Sequence, residues 1–188
     1  MSDSINYSED NFEHVYVVGI RLWPDSHQAD CFTLVLYNEV ARNDQNRPLT
    51  SEGRILFFRS IHHANAALRA GDKAFRKYEP IKIGVAYVYD IPKVLATVAS
   101  AEADDDGIVA DFVNELLDFI AATNRNISVQ HRAALHALAD FTTFDKDLRG
   151  MPNATSTREM ASEALLWGIG TVLSCATVLR PPTRVLEN

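Results

Sequence analysis

His62 and His63 are adjacent, and adjacent imidazoles hold one metal ion only if both point the same way. On a helix, neighbouring side chains diverge by about 100°, so this pair does not chelate without an unusual backbone. His62 shares a face with Asn65 and Arg69 and reads as solvent-facing. His63 shares the alanine face of Ala66 and Ala70. His131 and His136 lie about 140° apart on a helix. His136 falls on the polar face, four residues before Asp140. His131 falls on the apolar stripe of Ala134, Leu135, Leu138 and Phe141. A histidine in that position is a satisfied core residue or a proton-transfer group. Glu159 and Glu163, one helical turn apart, are spaced to share a proton or a metal, or simply to sit near a helix N-terminus. Neither starts a Glu-x-x-His pair, so a di-iron bundle pattern is missing. Tyr87 and Tyr89 project from one face of a strand and could line a ligand pocket, although aromatics at that spacing also build cores.

Common active-site signatures are absent from the sequence: there is no P-loop, dinucleotide-binding glycine fingerprint, nucleophile elbow or His-Glu-x-x-His. The acidic stretch from Glu102 to Gly107 resembles a calcium loop, but its twelfth position is Val113, where a bidentate glutamate is required. Those carboxylates read as helix N-terminal charges, with Asp106 as the cap. Cys31 and Cys175 are isolated thiols, too few for a disulfide framework or a zinc site. We therefore expect no metal, no cofactor and no catalytic residue that the sequence alone can name.

The 188 residues suit one domain, and 47% hydrophobic content can fill a core. A formal charge of −7 repels phosphate backbones, so neither nucleic acid nor a membrane is an expected partner. The basic run Arg69–Lys77 reads as a solvated helix end. With no signal peptide and no cysteine framework, the expected compartment is the cytoplasm.

The elements that must position these groups follow from periodicity. Residues 1–13 are polar and read as frayed. Alternation marks strands at 14–23, 31–40, 54–59 and 81–91, the last with Ile81, Ile83, Val85, Tyr87, Tyr89 and Ile91 on one apolar face. A polar connection at 41–53 exceeds ordinary hairpin length. Ser60 caps a helix ending at Gly71, and four helices follow Pro92: a short one, then about 106–124, 128–147 and 156–179. In the 106–124 helix, Asp111, Asn114, Glu115 and Asp118 occupy the polar half. Ser156 and Glu159 fit a capping box for the last helix.

The expected fold is α+β: a four-stranded, mostly antiparallel sheet in the order β-β-β-α-β (14–91), with a C-terminal four-helix region (92–180) packed on it in the same compact unit, and a tail at 181–188. The stretch Ala164–Leu179 carries no charge, but it is short of a membrane span and reads as a central core helix or an oligomer interface. The functional expectation is a non-enzymatic acidic protein that binds another protein, alone or as a homo-oligomer, in the manner of an inhibitor or immunity protein. One alternative is a small hydrolase or transferase assembled from His62, His63, His131, Glu159 and Glu163. Another is a small-molecule sensor lined by Tyr87 and Tyr89, which would need an apolar pocket beside the sheet.

Overall fold

The computed structural model describes residues 14–37, 46–70, 85–101, 103, 104, 106–145, 147–151 and 154–179. The expected N-terminal arm, the tail, residues 41–45 of the long connection, Ile81, Ile83 and most of the basic run lie outside the described residues. In chain order the elements are β1 (His14–Arg21), β2 (Cys31–Tyr37), β3 (Arg47–Pro48), β4 (Thr50–Ser51), β5 (Arg54–Phe58), α1 (Ile61–Ala70) and β6 (Val85–Asp90). Then come α2 (Ile91–Ser100), α3 (Ile108–Ala122), α4 (Val129–Phe144), a 3-10 turn (Leu148–Gly150), α5 (Ala154–Ser174) and β7 (Ala176–Leu179).

The class is α+β, but the sheet is mixed and seven-stranded rather than four-stranded and mostly antiparallel. β1, β2 and β5 form the expected antiparallel meander. β6 then joins β1 in parallel, and β7 joins β5 in parallel, because each arrives after a helical segment that carries the chain back across the sheet. Two short strands interrupt the long connection. Leu49 donates its N–H to Leu34 O at 2.7 Å and accepts from Leu56 N at 2.9 Å, so the segment crosses from β2 to β5. Glu52 and Gly53 turn back into β5 with φ of 53° and 71°, the left-handed pair that a two-residue hairpin demands.

The sheet buries both faces. Val15, Val17, Leu34, Leu36 and Phe58 pack with Ala64 of α1 on one side. Val18, Ile20, Val35, Ile55 and Phe57 pack with α2–α5 on the other. The single apolar face expected for β6 is broken by a bulge. Val17 pairs with Val85 but Val18 pairs with Tyr87, so Ala86 is an extra residue. Val85 therefore joins the α1 side while Tyr87 and Tyr89 face the helical side.

The helix starts follow capping chemistry, with one correction. Asp90 accepts from Lys93 N at 3.1 Å to open α2, and Ser128 accepts from His131 N at 3.0 Å to open α4. Asp106 does not cap α3: it is exposed and pairs with Lys93 at 2.8 Å. The buried Asp104 takes that role and accepts from the N–H groups of Val109 and Ala110 at 3.0–3.2 Å. It reaches them because Gly107, at φ 68°, folds the chain back over the helix start. α5 begins at Ala154, which places Ser156 within its first turn rather than at a cap.

The last helix departs furthest from expectation. It ends at Ser174, and residues 176–179 add a strand, since the unpaired edge of β5 satisfies their backbone groups. It is also not buried all round. Ala161, Ala164, Leu165 and Val172 are buried, whereas Met160, Leu166, Trp167 and Leu173 are exposed. Gly168 makes the buried contact close: a Cβ there would lie 3.0 Å from Leu116 Cδ2 and 3.1 Å from Ile120 Cδ1 of α3. Among the described residues, no helix is long and apolar enough to cross a membrane.

Candidate functional site

Glu115 lies in the half of α3 that periodicity assigns to solvent, yet it is only 5% exposed. Tertiary structure covers it from two directions. Tyr89 approaches from β6, with its hydroxyl 3.5 Å from Glu115 Oε2, a long contact. Asn46, at the entry to β3, donates its side-chain amide to the same oxygen at 3.2 Å. The backbone N–H of Asn46 also donates to Asp118 Oδ2 at 3.0 Å, so one asparagine ties together two carboxyls a turn apart. Glu115 Oε1 is buried and has no hydrogen-bond partner among the described residues.

This placement alters proton affinities. Burial, reinforced by the nearby Asp118 charge, pushes the Glu115 carboxyl up to about 7. Burial likewise pushes Asp118 up to about 6, opposed by its bond from Asn46. Asp111, one turn before Glu115, is raised by partial burial and by Asp104. The Tyr89 phenol is held protonated, first by burial and then by the Glu115 charge.

Tyr89 and Glu115 border two cavities. One, of about 330 Å³, is lined by Tyr16, Tyr87 and Tyr89 from the sheet and by Asp111, Asn114 and Glu115 from α3. The Tyr16 and Tyr87 rings meet edge-to-face with centroids 6.4 Å apart. The other, of about 440 Å³, is mostly apolar and runs between Ile20, Phe57, Phe112, Leu116 and Val172, with Trp23 at its border. Cys31 also lines it, and burial pushes that thiol up to about 11, which keeps it an inert hydrophobe rather than a nucleophile.

The other candidates are dispersed. His131 and Glu163 do meet across α4 and α5, with Nε2 to Oε1 at 3.5 Å, and the imidazole rests against Trp167 at a centroid distance of 5.7 Å. Glu159 is exposed a turn earlier on α5. His62 is exposed and His63 half-buried on α1, across the sheet from α4 and α5. Among the described residues no three His, Cys, Asp or Glu side chains are grouped to hold a metal ion.

No family model matches this chain, and no curated protein matches it. A solved structure does: the crystal structure of the SatS C-terminal domain in complex with bromine, at 13% identity and a TM-score of 0.53, covering 88% of this chain and 94% of that one. At that identity the likeness is one of fold, and it places the mixed-sheet α+β arrangement among known architectures.

Sequence reasoning picked out Tyr87 and Tyr89 but missed Glu115 and Asn46. A carboxylate on the polar half of an amphipathic helix carries no local mark of burial. The one available signal was the length of the 41–53 connection, whose second half returns to pack on α3.

Proposed function

We propose that this is a non-enzymatic protein of the cytosol that binds another protein through the exposed face of α5. The observation that carries this reading is the apolar character of that face. Met160, Leu166, Trp167 and Leu173 are exposed on one helix, and Leu166 and Trp167 line a shallow groove of about 470 Å³ together with Glu163, Gly170 and Ser174. Large apolar side chains gathered on a soluble surface mark an interaction site more often than a scattered few do. Trp167 is the natural anchor, since tryptophan is enriched among residues that dominate interface energies. The Glu163–His131 pair supplies a polar margin of the kind that surrounds such an anchor. The net charge of −7 favours a basic partner over a nucleic acid and steers the encounter.

A hydrolase or transferase reading draws less support. It calls for His62, His63, His131, Glu159 and Glu163 in one cleft, and only His131 and Glu163 come within reach of one another. Two free cysteines, one half-buried and one buried, suit a reducing compartment.

The test compares the native chain with Trp167→Asp and Leu166→Asp in parallel affinity capture and in light scattering. A partner, or a second copy, should be held by the native chain and lost from both variants, with unchanged thermal unfolding. A monomer whose captured proteins are the same for all three chains would sink the reading.

A further inference from the structure

We propose that the cavity between Tyr16, Tyr87 and Tyr89 on the sheet and Glu115 on α3 binds a small organic cation, an alkylammonium or quaternary ammonium group, held by the carboxylate and the tyrosine rings. This goes beyond protein binding by α5 and does not depend on it.

The first ground is a shielded acid. Glu115 is more than nine-tenths buried and borders the cavity, and burial strengthens the attraction of a carboxylate for a charge placed beside it. The second ground is the composition of the walls. Three tyrosine rings and two carboxylates line the space, and none of the described lining residues is basic. Aromatic faces attract cations through their ring quadrupole, and clusters of such rings beside an acid are how proteins recognise ammonium groups. The third ground is the backbone. The extra residue at Ala86 turns Tyr87 and Tyr89 together from the α1 side of the sheet, where Val85 points, to the side where Tyr16 stands. Without that bulge the cavity would lose a wall, and bulges are known to re-aim side chains in this way at functional sites.

Other occupants fit less well. An anion would meet Asp111 and Glu115 with no basic residue among the described lining. A purely apolar molecule is better served by the larger, mostly apolar cavity that Tyr89 also borders. A divalent metal ion needs several oxygen ligands at short range, and no such group occurs among the described residues.

The experiment titrates the full chain with choline and with n-butylammonium, followed by calorimetry and by NMR. The control is 3,3-dimethylbutan-1-ol, the uncharged isostere of choline. We expect saturable binding of at least one cation at millimolar concentration, with the isostere weaker by about tenfold or more. Glu115→Gln and Tyr87→Ala should each weaken the cation by a similar factor, and Tyr87→Ala alone suffices if Glu115→Gln unfolds, because Tyr87 is largely exposed. Equal binding of cation and isostere would overturn the proposal, as would indifference to both variants, tighter binding of calcium or magnesium, or no saturable binding of either cation.

Discussion

α3 and α5 lie side by side, joined where Gly168 meets Leu116 and Ile120, and they break the usual inside–outside rule in opposite directions. α3 buries a carboxyl: Glu115 is withdrawn between the sheet and a returning loop. α5 exposes an indole and three large aliphatic or thioether side chains. Scattered exposed leucines are ordinary, but a buried acid and a clustered apolar face are each informative. The contrast underlies two separate proposals. The α3 side is a part-open cavity with acidic and aromatic walls, proposed for a small charged molecule. The α5 side is open and apolar, and is proposed for a protein partner.

The comparison can be pressed hardest within α5 itself. Leu165 is fully buried, while its neighbour Leu166 is 59% exposed. Leu165→Ala should cost about 2–5 kcal/mol of stability by urea unfolding, from lost burial and a residual cavity. A loss below about 1 kcal/mol would mean that the buried side of α5 is wrongly placed.

The α3 side makes a prediction about pH. The ordinary glutamate value is 4.5, and in the folded chain Glu115 is raised to about 7. A carboxyl raised on folding favours the folded state when protonated. Its contribution is therefore fully present below about 4.5 and is lost as pH climbs through about 7. The corresponding free energy is about 3 kcal/mol, and Asp118 adds to the fall over the lower part of the same window. Glu115→Gln should flatten this decline and be the more stable protein at pH 8. Parallel pH profiles for the two proteins would show that Glu115 is hydrated rather than buried.

Smaller effects distinguish structure from binding. Asp104→Ala removes the cap of α3 and should cost about 0.5–2 kcal/mol. The same change at Asp106, an exposed residue that pairs with Lys93, should leave stability nearly unchanged. Leu166→Ala should shift unfolding by no more than about 0.5 kcal/mol. Its effect is expected in partner capture instead, and a large loss of stability would make it a packing residue rather than a docking one.

Local pattern made much of the fold legible. Alternation located β1, β2, β5 and β6, and Ser60 and Ser128 marked the starts of α1 and α4 through bonds to His63 N and His131 N. The misses share a physical origin. β7 escaped because an uncharged Ala-Thr-Val-Leu run continues a helix as readily as it forms a strand, and only the open edge of β5 decides between them. Asp106 was preferred to Asp104 because capping is read from spacing, whereas Asp104 reaches α3 through a left-handed glycine. Spacing assigns His131 to the inward stripe, but its contact with Glu163 and Trp167 depends on how α4 lies against α5.

Composition and periodicity by themselves determined the α+β class, the net negative charge and the amphipathic helices, because those properties reside in neighbouring residues. Tertiary structure decided that the sheet is mixed, that half of α5 faces water, and that Tyr87, Tyr89 and Glu115 share one cavity. Such outcomes turn on which distant segments compete to cover the same surface, and a bulge of one residue or a loop that folds back reassigns a side chain without leaving any mark in the local pattern.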